Sequence, residues 1–345
     1  YLGYGESSAE IDGSVSSAAG LVSLANGGLL QILLDQDAGT VTYYANGVEQ
    51  KEWTGNNTMA YVYVMVYGDN YGVPHCRLDF GQDGFTRVDE DYNYICTANF
   101  PTPTLLDGTA NFQPTLYTGD GSVRNIDQTG NSTFQPDLVW IKNRSAADNH
   151  FIFDAPRGVT KYWIPDTHSI ETTNANSLTS FDSDGFGLGT GAGGFNDDTE
   201  NFVAWQWLAG GGAGSSNEEG SINTTTTTVN TAAGISLSTF VGNNVAGATI
   251  GHGLGAVPEF IIGKPLTGGH NGTTYLGNLG EDYGVYLDLP NAPYDSLTYW
   301  NDTAPTSSLI TFGTSAMNLV GVTTIVYAFA PIEGFSRFGQ YVGNG

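Results

Sequence analysis

Carboxylates are the most abundant reactive groups in this sequence: 35 Asp and Glu stand against 10 Lys and Arg, for a formal net charge of −25 at pH 7. Close pairs occur at Asp35/Asp37, Asp182/Asp184 and Asp197/Asp198. Two facing carboxylates are what glycoside hydrolysis requires. Each pair here lies beside Gly or Asn, where an Asp side chain bonds nearby backbone and shapes a turn, so we read them as turn residues. Asp182-Ser183-Asp184-Gly185 opens like a calcium loop but lacks the fifth-position ligand and the distal Glu. Asp197-Asp198-Thr199-Glu200 offers further oxygen ligands. No cofactor is expected; if a metal is held, the residue types point to a structural Ca²⁺ on Asp182, Asp184, Asp197 or Asp198, and no Cys/His set has zinc spacing.

Nucleophile chemistry finds less support. There are five His, and no G-x-S-x-G elbow: Gly334-Phe335-Ser336-Arg337-Phe338 lacks the final glycine. His168 and His252 stand beside turn residues and are expected to be solvated. Gly189-Thr190-Gly191-Ala192-Gly193-Gly194 satisfies G-x-G-x-x-G, yet Phe195-Asn196-Asp197-Asp198 follows, acidic and without helical periodicity. A phosphate site needs a helix N-terminus at that point, so this is a glycine-rich loop. No catalytic residue is assigned, and an enzyme is not expected.

Aromatic residues are the remaining candidates. Trp140, Trp205 and Trp207 sit in apolar strands and read as core. Trp163 in Lys161-Tyr162-Trp163-Ile164-Pro165, and Trp300 in Leu297-Thr298-Tyr299-Trp300-Asn301-Asp302, lie near polar turns. Sugars stack on exposed aromatic faces while Asn and Asp take their hydroxyls. Trp163, Tyr162, Trp300 and Tyr299 are therefore the ligand-binding candidates; the competing reading is a strand-end aromatic closing a core.

These residues are carried on a pattern written twice. Pro136-Asp137-Leu138-Val139-Trp140-Ile141-Lys142 and Pro258-Glu259-Phe260-Ile261-Ile262-Gly263-Lys264 open two copies; Val203-Ala204-Trp205-Gln206-Trp207 and Ile325-Val326-Tyr327-Ala328-Phe329 close them, with an offset of 122 residues at both ends. Such self-similarity sets the architecture. With 48 Gly, abundant Thr and Asn and only 13% charged residues, the chain favours strands joined by tight turns. The expected fold is all-β: tandem antiparallel β-sandwiches.

Five segments follow: a first unit over 1–100, a Pro-rich linker over 101–111, one repeat over 112–211, a Gly/Ser/Thr hinge over 212–234 and a second repeat over 235–345. The hinge is expected to be flexible and the three units extended. Phe338-Gly339-Gln340-Tyr341-Val342-Gly343 repeats the entry pattern of the copies a third time, as a strand closing the second copy or the start of more chain. The chain lacks an initiator Met and begins mid-pattern at Tyr1-Leu2-Gly3-Tyr4, which suggests a fragment or processed product.

The acidic balance argues against nucleic acid, which needs a basic footprint, and against anionic lipid. No run of 18 apolar residues is present, so no membrane insertion is expected. Cys76 and Cys96 leave a disulfide or two free thiols open.

Two resemblances add to this reading. Leu34-Asp35-x-Asp37-x-Gly39-Thr40-Val41-x-Tyr43-x-x-Asn46-Gly47, with Leu78-Asp79-Phe80-Gly81-Gln82-Asp83-Gly84-Phe85, resembles the SPRY (B30.2-like) domain over residues 30–85. That resemblance implies a concanavalin-like sandwich with a binding role, here incomplete at its N-terminal side. Asp137-Leu138-Val139-Trp140-Ile141-Lys142-Asn143-Arg144, Ser180-Phe181-Asp182-Ser183-Asp184-Gly185-Phe186, Gly251-His252-Gly253-Leu254-Gly255 and the segment from Phe335 resemble an uncharacterised repeat domain of tailed-phage structural proteins, notably of marine phages. The second copy has Pro265 and Leu266 in place of Asn143 and Arg144.

Together they imply a non-catalytic virion protein, a tail fibre or receptor-binding appendage at the virion surface. Its expected partners are other virion proteins, itself as a homo-oligomer (trimers being usual for phage fibres) and a host surface glycan. A capsid decoration or head-fibre protein, a carbohydrate-active enzyme with its catalytic part elsewhere, and a cell-surface adhesin are the alternatives.

Overall fold

The computed structural model describes residues 8–11, 14–17, 30–35, 40–45, 48–54, 103–191 and 193–341. The chain divides into two compact units, Tyr1–Pro101 and Thr102–Gly345. In the first, β1 (Ser8–Ile11) and β2 (Ser14–Ser17) form a hairpin. Strands β3 (Leu30–Asp35), β4 (Thr40–Ala45) and β5 (Val48–Thr54) form an antiparallel sheet in chain order. Ala45 stands opposite Val48 at the end of the β4–β5 pair. The apolar runs 61–67 and 78–82, which read as further strands, both cysteines and the first two residues of the proline linker lie outside the described residues.

The second unit holds both copies. The first copy runs β6 (Phe112–Thr118), β7 (Arg124–Asp127), β8 (Leu138–Asn143), β9 (His150–Asp154), β10 (Lys161–Tyr162), β11 (Thr172–Thr173), β12 (Leu178–Asp182), β13 (Gly185–Leu188) and β14 (Asn201–Trp207). Four strands pair in the order β6-β14-β8-β9, three as β12-β13-β7, and Tyr117, Ile126, Val139, Phe153, Phe186 and Phe202 fill the core between the two sheets.

The second copy follows as β15 (Thr226–Asn230), β16 (Ile235–Val241), β17 (Ala248–Gly251), β18 (Phe260–Pro265), β19 (Thr273–Leu276), β20 (Tyr283–Tyr286), β21 (Tyr294–Asp295), α1 (Leu297–Trp300), β22 (Leu309–Phe312) and β23 (Thr323–Phe329). Its large sheet is β15-β16-β23-β18-β19-β20-β21, covered by the β17-β22 pair over a core that includes Phe240, Ile250, Tyr275, Trp300 and Phe312. The inner order β16-β23-β18-β19 is that of β6-β14-β8-β9.

The duplication extends to single side chains. Asn196 and Asn318, both fully buried and 122 residues apart, act alike: each donates its amide to two carbonyls, Ser122 and Gly189 in one copy, Val245 and Gly313 in the other. Lys142 donates to the Asp148 carbonyl at 2.6 Å, and Lys264 to that of His270 at 2.5 Å. A Cβ on Gly119 would lie 2.2 Å from the Asp197 carbonyl oxygen, and one on Gly242 would lie 2.5 Å from that of Leu319, so both positions require glycine.

The two copies are not strung out. Side chains alternate faces along a strand: Val139 and Ile141 of β8 point into the first sandwich, while Leu138 and Trp140 point the other way, against the second copy. A third core lies there, built from Leu138, Ile152 and Trp163 of the first copy with Ile235, Ile262, Ile325 and Tyr327 of the second. The expectation of an extended pair is corrected: strands apolar on both faces demand a cover on each, and each copy covers the other.

The expected hinge is tied down as well. Buried Asp137 accepts from the backbone N–H groups of Ala209, Gly211 and Gly212 at 2.7, 2.8 and 2.6 Å. Burial pushes its pKa up, while those three bonds work against the rise. Thr226–Thr228 of the threonine run open strand β15, paired with β16. Asp137→Ala is expected to cost about 1–3 kcal/mol, because the buried Ala209 N–H loses its acceptor. Amide exchange over 209–214 should rise with it, and hydrogen-exchange mass spectrometry reads both effects.

Candidate functional site

Three clusters gather the polar and aromatic side chains that the sequence brought forward. The first locks the copies together. The hairpin of β10 carries Trp163 into the third core, where it is fully buried and donates from Nε1 to the Tyr327 hydroxyl at 2.8 Å. Tyr327 donates in turn to Asp154 Oδ2 at 2.6 Å, which also accepts from Arg157 Nε at 2.6 Å. Arg157 reaches the Ile152 carbonyl and Glu171. Burial alone would depress the Arg157 pKa; the Asp154 carboxylate, Tyr327 and Glu171 hold it above its ordinary value. Burial, and then the Asp154 charge, raise the Tyr327 hydroxyl well above its own.

Trp163 therefore has no face for a sugar. Tyr162, its neighbour, points the opposite way and packs edge-on against Phe151, at the margin of the first sandwich core.

Lys264 completes this cluster. Its side chain is buried, with Nζ 5.6 Å from the Trp163 ring centroid. Burial lowers its pKa from an ordinary 10.5 to about 8, against a pull upward from Asp288. A folded-state value below the unfolded one means that the unfolded chain binds the extra proton between those pH values. Stability associated with Lys264 is thus full above pH 10.5 and is lost as pH falls through 8. We expect the urea midpoint to rise between pH 8 and 10.5, and Lys264→Met to flatten that rise.

The second cluster is the acidic one. Carboxylate oxygens of Asp148, Asp197 and Glu200 lie within 4.8 Å of one another. Of the calcium candidates only Asp197 belongs to it. Asp182 and Asp184 flank the tight β12–β13 turn, with Asp182 opposite Gly185, and Asp198 is exposed on the loop. The buried Asn143 amide sits among the three, donating Nδ2 to Asp148 Oδ2 at 2.6 Å and to Glu200 Oε2. Asn143 Oδ1 is turned away to the N–H groups of Ser145 and Ala146, and Asp197 accepts from Gly193 and Gly194. A donor at the middle of the cluster does not fit a cation there, since calcium takes oxygen ligands. The second copy, with Pro265, His270, Leu319 and Val322 at the matching positions, does not repeat it.

The third cluster surrounds Tyr299. Between β19 and β22 the second copy carries the β20–β21 hairpin, which repeats the register of β10–β11 122 residues on (Lys161 opposite Thr173, Tyr283 opposite Asp295), and α1; together they bring Tyr286, Tyr294 and Tyr299 into contact. Ring centroids are 4.8 Å (286–294), 5.1 Å (294–299) and 6.2 Å (286–299) apart. All three rings are half-buried. The Tyr286 and Tyr299 hydroxyls are 2.5 Å apart, whereas the shielded Tyr294 hydroxyl has no partner. Tyr294 lies across β20 from Gly284, where a Cβ would meet its hydroxyl at 3.2 Å. Burial, with the neighbouring hydroxyls, raises Tyr294 and takes Tyr299 up to about 12.

Glu281, Asp295 and Asp302 lie within electrostatic reach of Asp282 and raise its pKa, after a larger effect of burial. Trp300, the other tryptophan candidate, is buried in the second core with its ring edge-on to Tyr275. It anchors α1, which Ser296 caps at its N-terminus and Asn301 closes in the left-handed conformation.

Sequence reasoning found Tyr299 and missed Tyr286 and Tyr294. A signal was present: five of the 19 tyrosines fall between 275 and 299. His252, expected in solvent, is buried and bonded through both ring nitrogens, to the Thr306 carbonyl and from the Leu254 N–H. Trp140 and Trp207, expected as core, are half-buried and line an aromatic cleft of about 280 Å³ between the copies with Phe112, Phe260 and Phe329. The segment with the third entry pattern forms no strand as far as Tyr341; Phe338 lies on Phe260 and Phe329 instead.

Among known proteins, no curated protein and no solved structure matches the chain. One family model does, described as "Domain of unknown function (DUF7483)", and it covers residues 107–345. The match takes in both copies and the tie between them, the same stretch that forms the second compact unit. By that match this chain belongs to the DUF7483 family.

Proposed function

We propose that this protein is a non-catalytic structural and adhesion component of a virion surface, of the tail-fibre or receptor-binding type. Its partners are other virion proteins, further copies of itself and a host surface glycan. The observation that carries this reading is the use made of the ionisable groups. Asp154, Arg157, Tyr327 and Lys264, charged or strongly shifted, are spent on joining two sandwiches into one body. Catalytic groups with shifted pKa values line a cleft where substrate can reach them; these lie in a packed core. A braced, doubled sandwich suits a part that carries load and presents a surface. The resemblance of the copies to repeats of tailed-phage structural proteins, and of the first unit to SPRY domains, supplies the setting.

The test is immunogold labelling of intact particles with an antibody raised against residues 102–345. Gold at tail or fibre tips supports the reading. Gold over the head makes the protein a capsid decoration and removes the receptor role. Particles without gold overturn the virion assignment and favour a cell-surface adhesin.

A further inference from the structure

We propose that one loop tip of the second copy is a self-association surface, through which two copies of this chain meet tip to tip. This rests on the reading above, in which further copies of the protein are partners. The duplication defines the tip bond for bond. In the first copy the N–H groups of Gly119 and Gly121 donate to the Glu200 and Asn196 carbonyls at 2.8 and 2.9 Å. Those of Thr199 and Glu200 donate to the Gly119 and Asp197 carbonyls at 3.0 and 3.3 Å. The second copy repeats all four. Gly242 and Asn244 donate to Val322 and Asn318 at 3.0 and 2.6 Å, and Gly321 and Val322 donate to Gly242 and Leu319, both at 3.1 Å. Even the turn residue is matched, with a φ of 66° at Thr199 and 73° at Gly321.

On this shared scaffold the two copies carry opposite surfaces. Ser122, Asp197, Asp198 and Glu200 of the first tip are replaced by Val245, Leu319, Val320 and Val322 in the second. Val320 is 73% exposed, Val245 56% and Val241, at the end of β16, 46%. The loops that present them are fixed. Buried Asn318 accepts from the Asn243 N–H and donates to the Val245 carbonyl, and Asn243 Oδ1 accepts from the Val245 N–H. Apolar side chains held together in solvent on ordered loops mark a contact surface.

Charge selects the occupant. Residues 221–258 and 303–332, which supply both sides of this tip, contain no Asp, Glu, Lys or Arg, although the chain carries a formal charge of −25. Two copies therefore repel each other over most of their surface. An acidic tip facing another is repelled, and an acidic tip set on the apolar one strips water from carboxylates without giving them partners. Apolar tip on apolar tip avoids both costs and takes valines out of water. A patch that pairs with itself closes as a two-fold dimer. A basic partner finds its complement on the first tip instead.

Sedimentation velocity on the full chain, from about 1 μM to 1 mM, spans the affinities of small interfaces. A rise from monomer to dimer is expected. Higher salt should strengthen it, by screening the repulsion between two acidic bodies. Val320→Asp puts the first copy's residue into the second tip and should weaken the dimer about tenfold or more. Its side chain stands in solvent, so the urea midpoint should not move. Leu116→Asp is the control: it adds the same charge at a residue 63% exposed on β6 of the first copy, and should leave the dimer as it is.

A monomer at every concentration, in low and high salt, overturns the surface. So does a dimer that ignores Val320→Asp, or one that Leu116→Asp weakens equally, since the contact then lies elsewhere or answers only to net charge. Gold at tail tips with a protein that stays monomeric removes this surface and leaves the adhesion reading. A dimer that depends on Val320, without gold on any particle, removes the virion setting and leaves the surface.

Discussion

Asp154→Ala is expected to destabilise residues 102–345 by about 3–5 kcal/mol, the cost of breaking a buried ion pair by removing one partner. Asp154 and Arg157 have side chains 0% and 2% exposed, and their contact is 2.6 Å. Without the carboxylate, the guanidinium keeps only the half-buried Glu171 at 3.3 Å and one carbonyl, and the Tyr327 hydroxyl loses its acceptor. Urea denaturation gives the number. The combined change Asp154→Leu with Arg157→Met should be much milder than Asp154→Ala, because no charge is then stranded. Equal losses for the two would mean that lost packing, rather than the unpaired charge, sets the cost.

Trp163→Ala is expected to cost about 3–5 kcal/mol, in the range for a buried aromatic truncated in a core that cannot collapse around it. The ring is stacked on Tyr327 at 6.2 Å, donates to its hydroxyl and lies beneath Lys264. The loss belongs to both copies, although Trp163 is part of only one. The position 122 residues on is Val285, so the lock is made once, from the first copy into the second. Peptides of β18 and β23 should therefore exchange faster in Trp163→Ala, which hydrogen exchange on the full chain measures. Loss confined to the first copy would contradict a shared core.

The fold was largely legible where local rules decide it. Alternation along β14 and the duplicated opening and closing strands follow from period-two burial. Legibility failed where the partner is distant in sequence. Trp163 stands among Lys161, Asp166 and Thr167, a composition that reads as surface, and its burial comes from Tyr327, 164 residues away. Trp140 and Trp207 failed in the opposite direction: strands apolar on both faces look like core, but these two rings border a cleft between sheets.

The acids show the same limit. Asp197 drew attention beside Asp198, whereas its spatial neighbours are Asp148 and Glu200, with Asn143 between them. Neighbouring carboxylates in sequence diverge on a turn, and the facing ones come from two loops, Asp148 from the one before β9 and Asp197 and Glu200 from the one before β14. The tyrosine cluster was half visible because its members lie within one short segment, in which the trio forms around the local pairing of β20 with β21.

The adhesion reading depends on the two copies behaving as one braced body, and native-state hydrogen exchange on the full chain tests that most directly. The amides of β8 and β14 in the first copy and of β18 and β23 in the second should share one opening free energy, and Trp163→Ala should lower all four together. Two separate opening free energies, with only the first copy responding to the substitution, would show independent modules and contradict the account.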